Sequence, residues 1–141
     1  MNIAILSQDA KKELTVQFCI AYCGLLSRHT LCATSATGKI VADATGLPVT
    51  RLLSAEHGGL QQVAALVACD EIDMLLYFRN SLSNVIAPQS EEGNARDLLR
   101  LCDVHNVPFA TNLATAEMLI QGLDRGDLDW RVIAHPERRS N

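Results

Sequence analysis

Thr30-Leu31-Cys32-Ala33-Thr34-Ser35-Ala36-Thr37-Gly38 joins a short apolar run, read as a strand, to a segment of helix length that continues to about Thr45. The same unit recurs in both directions. Toward the N-terminus, Asn2 to Leu6 is another strand-like run, followed by a helix-length segment from about Asp9 to Leu26. Toward the C-terminus, Val49 to Leu53, Asp73 to Phe78, Val107 to Ala110 and Trp130 to Ala134 read as further strands. Gly59 to Cys69, Glu92 to His105 and Ala114 to Leu123 read as helices, the last with Ala116, Leu119, Ile120 and Leu123 at helical spacing. Strand and helix taking turns predict right-handed crossovers and a mostly parallel sheet covered on both faces. The expected fold class is α/β, a single three-layer doubly wound domain over residues 1–141 with a five- or six-stranded sheet. Ser81 to Asn94, with Pro88 and Gly93, reads as a long polar loop.

Composition narrows the functional classes. With 48% hydrophobic and 20% charged residues, the 141-residue chain lies outside the range that stays disordered. Twelve Lys+Arg against sixteen Asp+Glu give a net charge of −4, the wrong sign for broad binding to a nucleic-acid backbone. The apolar runs are too short to span a membrane, and MNIAILSQD has no basic n-region or cleavage pattern, so a cytoplasmic location is expected. Five cysteines without a CxxC pair read as free, mostly buried thiols in a reducing compartment. Cys19 and Cys23, four apart, leave a metal or redox pair conceivable. His29 and His105 read as structural histidines without partners.

In a doubly wound fold, ligands sit outside the carboxyl ends of the strands, so the loops after each strand carry the functional reading. Thr34-Ser35-Ala36-Thr37-Gly38 offers three hydroxyls and a small-residue backbone entering a helix, a combination able to donate several hydrogen bonds to one anion. Phosphate is the natural candidate. Lys12 would add a positive charge, and Ser54 with Ala55 and the Gly58-Gly59 turn would add donors from a third loop. The same residues would also serve as ordinary helix caps and tight turns.

Beyond these loops the chain resembles the methylglyoxal synthase family, which is related to the regulatory domain of carbamoyl phosphate synthetase. The resemblance rests on Ile3-Ala4-Ile5-Leu6 with Asp9 and Lys12, on Ala33 to Gly38, and on Leu53-Ser54 through Gly58-Gly59-Leu60-Gln61-Gln62-Val63. Ile72 to Phe78 and the run Val107-Pro108-Phe109-Ala110-Thr111-Asn112-Leu113-Ala114-Thr115-Ala116 extend it over nearly the whole chain. It implies a methylglyoxal synthase-like fold, a homohexamer, and a cofactor-free reaction that takes a proton from dihydroxyacetone phosphate and expels phosphate. Such chemistry needs a carboxylate base and an anion cradle. By the resemblance Lys12, Thr34, Thr37 and Ser54 hold phosphate, with Ser35 and Ala36 standing where the family has Gly and Thr.

The family's acid–base positions are replaced. Leu60 stands where the resemblance assigns the catalytic Asp, Gln8 stands for His, and Asn80-Ser81 for Asp-Pro. Pro88-Gln89-Ser90-Glu91-Glu92 corresponds to the family's Pro-His-x-x-Asp, so His becomes Gln89 and Asp becomes Glu92. Three readings follow: a module that binds phosphate or a small phosphorylated metabolite without efficient turnover, a lyase or isomerase with a relocated base, or an ordinary synthase with a displaced base. Asp9, Glu56, His57 and Glu92 are the candidate bases, and Gly59 lines the same loop. By the resemblance, Arg138 or Arg139 near the C-terminus would clamp a phosphate from the same or a neighbouring subunit, and the alternative is a solvated basic tail. Neither a metal nor an organic cofactor is expected, and no nucleic-acid or membrane partner.

Overall fold

The computed structural model describes the backbone of residues 1–79 and 89–137, and the side chains of these residues except 89–91. Five strands, β1 (Asn2–Ser7), β2 (Thr30–Ala33), β3 (Val49–Arg51), β4 (Met74–Phe78) and β5 (Phe109–Ala110), form one sheet in the order β3-β2-β1-β4-β5. Every pairing is parallel, with Ile3 opposite Leu31 and Met74, and Leu76 opposite Ala110. The order reverses at β1, so the chain winds first toward β3 and then toward β5. This leaves the switch point between β1 and β4, where Gln8 N donates to Phe78 O at 3.0 Å.

Alternation along the central strands divides the core. Ile3 and Ile5 of β1, with Met74, Leu76 and Phe78 of β4, pack against Phe18 and Cys19 of α1 (Lys12–Ala21), Leu26 of α2 (Cys23–Leu26), Val41 of α3 (Ser35–Thr45) and Ile120 of the later helix Leu113–Arg125. Ala4, Leu6, Leu75 and Tyr77 point the other way, onto Val63 and Val67 of α4 (Gly59–Ala68) and Leu98 and Cys102 of α5 (Gln89–Val104). The helix Leu113–Arg125, α6, is capped by Asn112, whose Oδ1 accepts from Thr115 N at 3.0 Å, and it stops at Gly126 in the left-handed region (φ 87°). These helices on the two faces of the sheet give the three expected layers. No helix among the described residues is long and apolar enough to cross a membrane.

Several expectations are corrected. Trp130–Ala134 is not a sixth strand but the helix α7. In a strand Arg131 and Ile133 would share a face; here Arg131 is 1% exposed and Ile133 is 70% exposed. A five-residue apolar run carries no periodicity that separates the two forms, and the pull of a buried partner decides it. That partner is Asp73 at the head of β4, whose Oδ1 lies 3.0 Å from Arg131 Nε. The polar stretch Ser81 to Asn94 is helical from Gln89 onward, and residues 80–88 lie outside the described residues.

The histidines expected to lack partners have them. His105 Nδ1 is 3.1 Å from Asp70 Oδ1, and His29 Nδ1 is 3.4 Å from the terminal nitrogen of Met1. Cys69 is exposed, whereas Cys19 and Cys102 are buried, with their thiols pushed up to about 12 by desolvation. Burial likewise pushes the Cys32 thiol up to about 11.

His29 makes folding pH-dependent. Desolvation first, then the Met1 ammonium and Arg28, lower its pKa below the ordinary 6.5, outweighing Asp124 and Asp73. The folded chain therefore binds this proton less readily than the unfolded one. Its contribution to stability is full above pH 6.5 and declines as the pH falls from 6.5 toward the lowered folded value. Urea midpoints measured between pH 5 and 8 are expected to fall less steeply on the acid side in His29→Gln than in the parent; identical slopes would contradict this.

Candidate functional site

The loops after β1, β2 and β3 meet at the carboxyl edge of the sheet. Beyond β1, Asp9–Lys11 forms a 3-10 turn held by Lys11 N donating to Gln8 O at 2.9 Å. Lys12, expected a turn inside its helix, opens α1, and its Nζ lies 2.8 Å from Asp9 Oδ1. Asp9 is 95% exposed and Lys12 only 29% exposed at the side chain. The pair is thus a half-buried cation with a solvated counter-ion, a weak association that a better anion can displace.

Beyond β2, Thr34 takes an extended conformation (φ −59°, ψ 156°) and starts α3, but its side chain makes no capping bond. Gly38 N donates to Thr34 O at 2.7 Å, closing the first turn. Thr34 and Thr37 are both buried, so their hydroxyls stand in a largely desolvated setting at a helix N-terminus. Ser35 is half-buried, and its Oγ accepts from Arg51 Nη2 at 3.2 Å. Arg51 also covers Gly38, where an added Cβ would come within 3.0 Å of the arginine Cγ. Sequence reading passed over Arg51, because an arginine at the end of a strand has no motif and reads as solvated. Parallel pairing of Ala33 with Arg51 supplies the missing information by setting it beside the α3 entrance.

Beyond β3, Ser54 introduces the 3-10 turn Ala55–His57. Its carbonyl accepts from His57 N at 3.0 Å and from Gly59 N at 2.9 Å, and its Oγ lies 2.6 Å from His57 Nδ1. Gly58 is left-handed (φ 98°). Gly59 admits no side chain, since a Cβ would lie 2.4 Å from Leu53 O and 2.8 Å from Thr34 Cγ2. This close approach docks the third loop onto the second. Gln62 fixes it from α4 through Oε1, which accepts from Leu53 N at 2.9 Å.

Leu60 stands in the first turn of α4. It is 4% exposed and packs in the cluster of Leu6, Val63, Ala95 and Leu98. A leucine so buried contributes about 1.5–3 kcal/mol by removal from water. The first turn of α4 accordingly offers no group that accepts a proton, and its surroundings are apolar.

The other candidates are scattered. Ala55, Glu56 and His57 are exposed on the third loop. Glu92 is exposed on α5, where it lines a groove with Arg96 and Arg100 rather than joining the Thr34 and Ser54 loops. The backbone of Gln89 begins α5, whereas Asn80, Arg138 and Arg139 lie outside the described residues. Among the described residues, no group of three or more His, Cys, Asp or Glu is placed to hold a metal ion.

An all-parallel five-stranded sheet with hydroxyl-bearing loops converging at its carboxyl edge defines an α/β protein whose site is built from strand-to-helix loops. Residues 15–111 match the model of the MGS-like domain. The chain belongs to the MGS-like family. It is similar to the methylglyoxal synthase of Caldicellulosiruptor saccharolyticus, 52% identical over 141 residues, which is 100% of this chain and 97% of that protein. Methylglyoxal synthase from Lysinibacillus sphaericus is 47% identical over 140 residues, 99% of this chain and 100% of the relative. Among solved structures, methylglyoxal synthase from Elizabethkingia anophelis superposes with a TM-score of 0.74 at 30% identity, covering 84% of this chain and 76% of that one.

Proposed function

We propose that this protein is a methylglyoxal synthase homologue that binds inorganic phosphate or a small phosphorylated metabolite at the carboxyl edge of its sheet without efficient elimination of phosphate. The observation that carries the reading is the burial of Leu60 in apolar surroundings, beside loops that keep their hydroxyls and Lys12. In this reading Lys12, Thr34, Ser35, Thr37, Gly38, Ser54 and Ala55 hold the phosphate, and Gln8, Gly59 and Leu60 line the space for the rest of the ligand. The α3 N-terminus supplies backbone donors and a positive dipole end. An aliphatic side chain at the first turn of α4 removes no proton from carbon, so the bound compound is retained rather than converted. The working unit is a single domain over residues 1–141, active in the cytoplasm as a closed homo-oligomer, hexameric by family resemblance. Light scattering checks the last point, and a monomer would contradict it.

Calorimetric titration with inorganic phosphate tests the binding reading. Lys12→Ala is expected to weaken binding about tenfold or more, since a charge-assisted hydrogen bond contributes about 1.5–3 kcal/mol. Undiminished affinity in that variant would contradict it, as would the absence of heat in the parent.

One observation favours a second reading. Ser54 Oγ and His57 Nδ1 are 2.6 Å apart on the loop that Gly59 docks onto Thr34. A histidine oriented in this way presents its other ring nitrogen as a relocated base for a phosphate-eliminating lyase, with Asp9, Glu56 and Glu92 as weaker candidates because Asp9 is paired with Lys12 and no described residue orients Glu56 or Glu92. If turnover is present, His57→Gln would abolish it while sparing phosphate affinity.

A further inference from the structure

Arg51 ends β3, the strand at one edge of the sheet, and its side chain lies along the first turn of α3. Two contacts fix that course. An added Cβ on Gly38 would come within 3.0 Å of Arg51 Cγ, so the aliphatic stem occupies space that a side chain at residue 38 would crowd. Farther out, Nη2 donates to Ser35 Oγ at 3.2 Å. Ser35 is the first residue of α3, which sets the guanidinium at the helix entrance. Arg51 forms no ion pair with a described residue, and its other N–H donors make no hydrogen bond to one.

The same entrance holds two hydroxyls without partners. Thr34 and Thr37 are 6% and 1% exposed, and neither side chain makes a hydrogen bond to a described residue. No fully buried side-chain oxygen among the described residues lacks a partner, so these two hydroxyl oxygens open onto the surface. Polar groups in such a setting are ordinarily hydrogen-bonded, and a pair left open points to a ligand beside them. The free N–H groups of the first turn give that ligand a negative charge. Of the two cations nearby, Lys12 is shared with Asp9 at 2.8 Å, whereas Arg51 has only the neutral Ser35 hydroxyl. A hydroxyl whose oxygen accepts from a guanidinium turns its own proton away from the arginine.

We propose that Arg51 is a positioning residue of the phosphate site, an inference that rests on reading Thr34 to Gly38 as that site. It fixes Ser35 as a donor toward the bound anion, and its unpaired charge makes the site prefer the doubly charged form of phosphate to the singly charged one. A guanidinium stays charged at any ordinary pH, and its attraction grows with the charge of the anion. Removing it therefore costs the dianion more than the monoanion.

Calorimetric titration of the full chain with inorganic phosphate at pH 5.5 and pH 8, on either side of the anion's second ionisation, tests the proposal. Arg51→Gln is expected to weaken binding about fivefold at pH 8 and about twofold at pH 5.5, the scale set by an exposed charge. Asp9 with Lys12, Glu56 and His57 on the third loop, and Lys39 with Asp43 on α3 carry the other charges around these loops. They are common to parent and variant, so the difference between the two profiles isolates Arg51. In a Ser35→Ala background the same substitution is expected to cost less than in the parent, because part of its effect passes through that hydroxyl. Arg51→Lys, which keeps the charge without the planar fork, is expected to restore the part that depends on pH. Unchanged affinity in Arg51→Gln, with Lys12→Ala still weakening binding, would overturn the proposal and leave the phosphate site standing. Equal losses at the two pH values would overturn the charge preference, and strictly additive losses with Ser35→Ala would overturn the positioning. No heat in the parent would overturn both the role of Arg51 and the reading on which it rests.

Discussion

Asp73→Ala is expected to lower the free energy of unfolding by about 3–5 kcal/mol, the usual cost of stranding one member of a buried ion pair. Asp73 and Arg131 are each 1% exposed. The carboxylate takes Arg131 Nε through Oδ1 at 3.0 Å and the Asn2 amide through Oδ2 at 2.7 Å. Arg131 also donates through Nη1 to Asn106 O at 2.7 Å and through Nη2 to Ile72 O at 3.3 Å. With Asp73 gone, those carbonyls remain, but a full positive charge stays in a dry site and the Asn2 amide loses its acceptor. Equilibrium urea unfolding measures the loss. Pairing Asp73→Ala with Arg131→Met is expected to recover part of it, because removing both charges removes the stranded cation. A loss below about 1 kcal/mol for the single variant would contradict the account, since that is the scale of an exposed pair.

The second large effect concerns turnover. Phosphate release from dihydroxyacetone phosphate by this chain is expected to run about 10²–10⁴-fold below that of the Caldicellulosiruptor saccharolyticus methylglyoxal synthase assayed beside it, the range that a positioned general base supplies. The two chains are 52% identical over their shared length, so large differences in scaffold do not cloud the comparison. In the proposed reading Leu60 stands in place of the family's base, and its burial in the apolar cluster that also holds Leu6, Val63, Ala95 and Leu98 would raise the cost of a charged carboxylate placed there. Release at the same rate as the relative would overturn the binding-only reading and turn attention to the Ser54–His57 pair.

Much of the architecture was legible in the chain because its signals are local. Apolar runs such as Met74 to Phe78 must be buried, and the segments between them are long enough to cross back over a sheet. The loop Thr34 to Gly38 likewise announces itself through small residues and hydroxyls at a helix start, and Gly58-Gly59 through its turn. The reading failed where the local signal was short or its partner distant. Trp130 to Ala134 offers five residues with no decisive period, and the helix forms around a charge pair between residues 58 apart in the chain. Arg51 acquires meaning only when β3 pairs beside β2. Glu92, considered as a base on a loop, belongs to a helix whose outer face it shares with Arg96 and Arg100.

By itself, then, the sequence determined the α/β class, the order of the central elements, the loops that face the carboxyl edge and the absence of a titratable side chain at residue 60. Each of these depends on side-chain chemistry within one or two turns of chain. Tertiary structure decided that Leu60 is a core residue, that Arg131 is buried against Asp73, and that Arg51 lies beside the entrance of α3. Those outcomes depend on which surfaces meet once the sheet has closed, because desolvation and charge pairing act across space between residues that the chain keeps far apart.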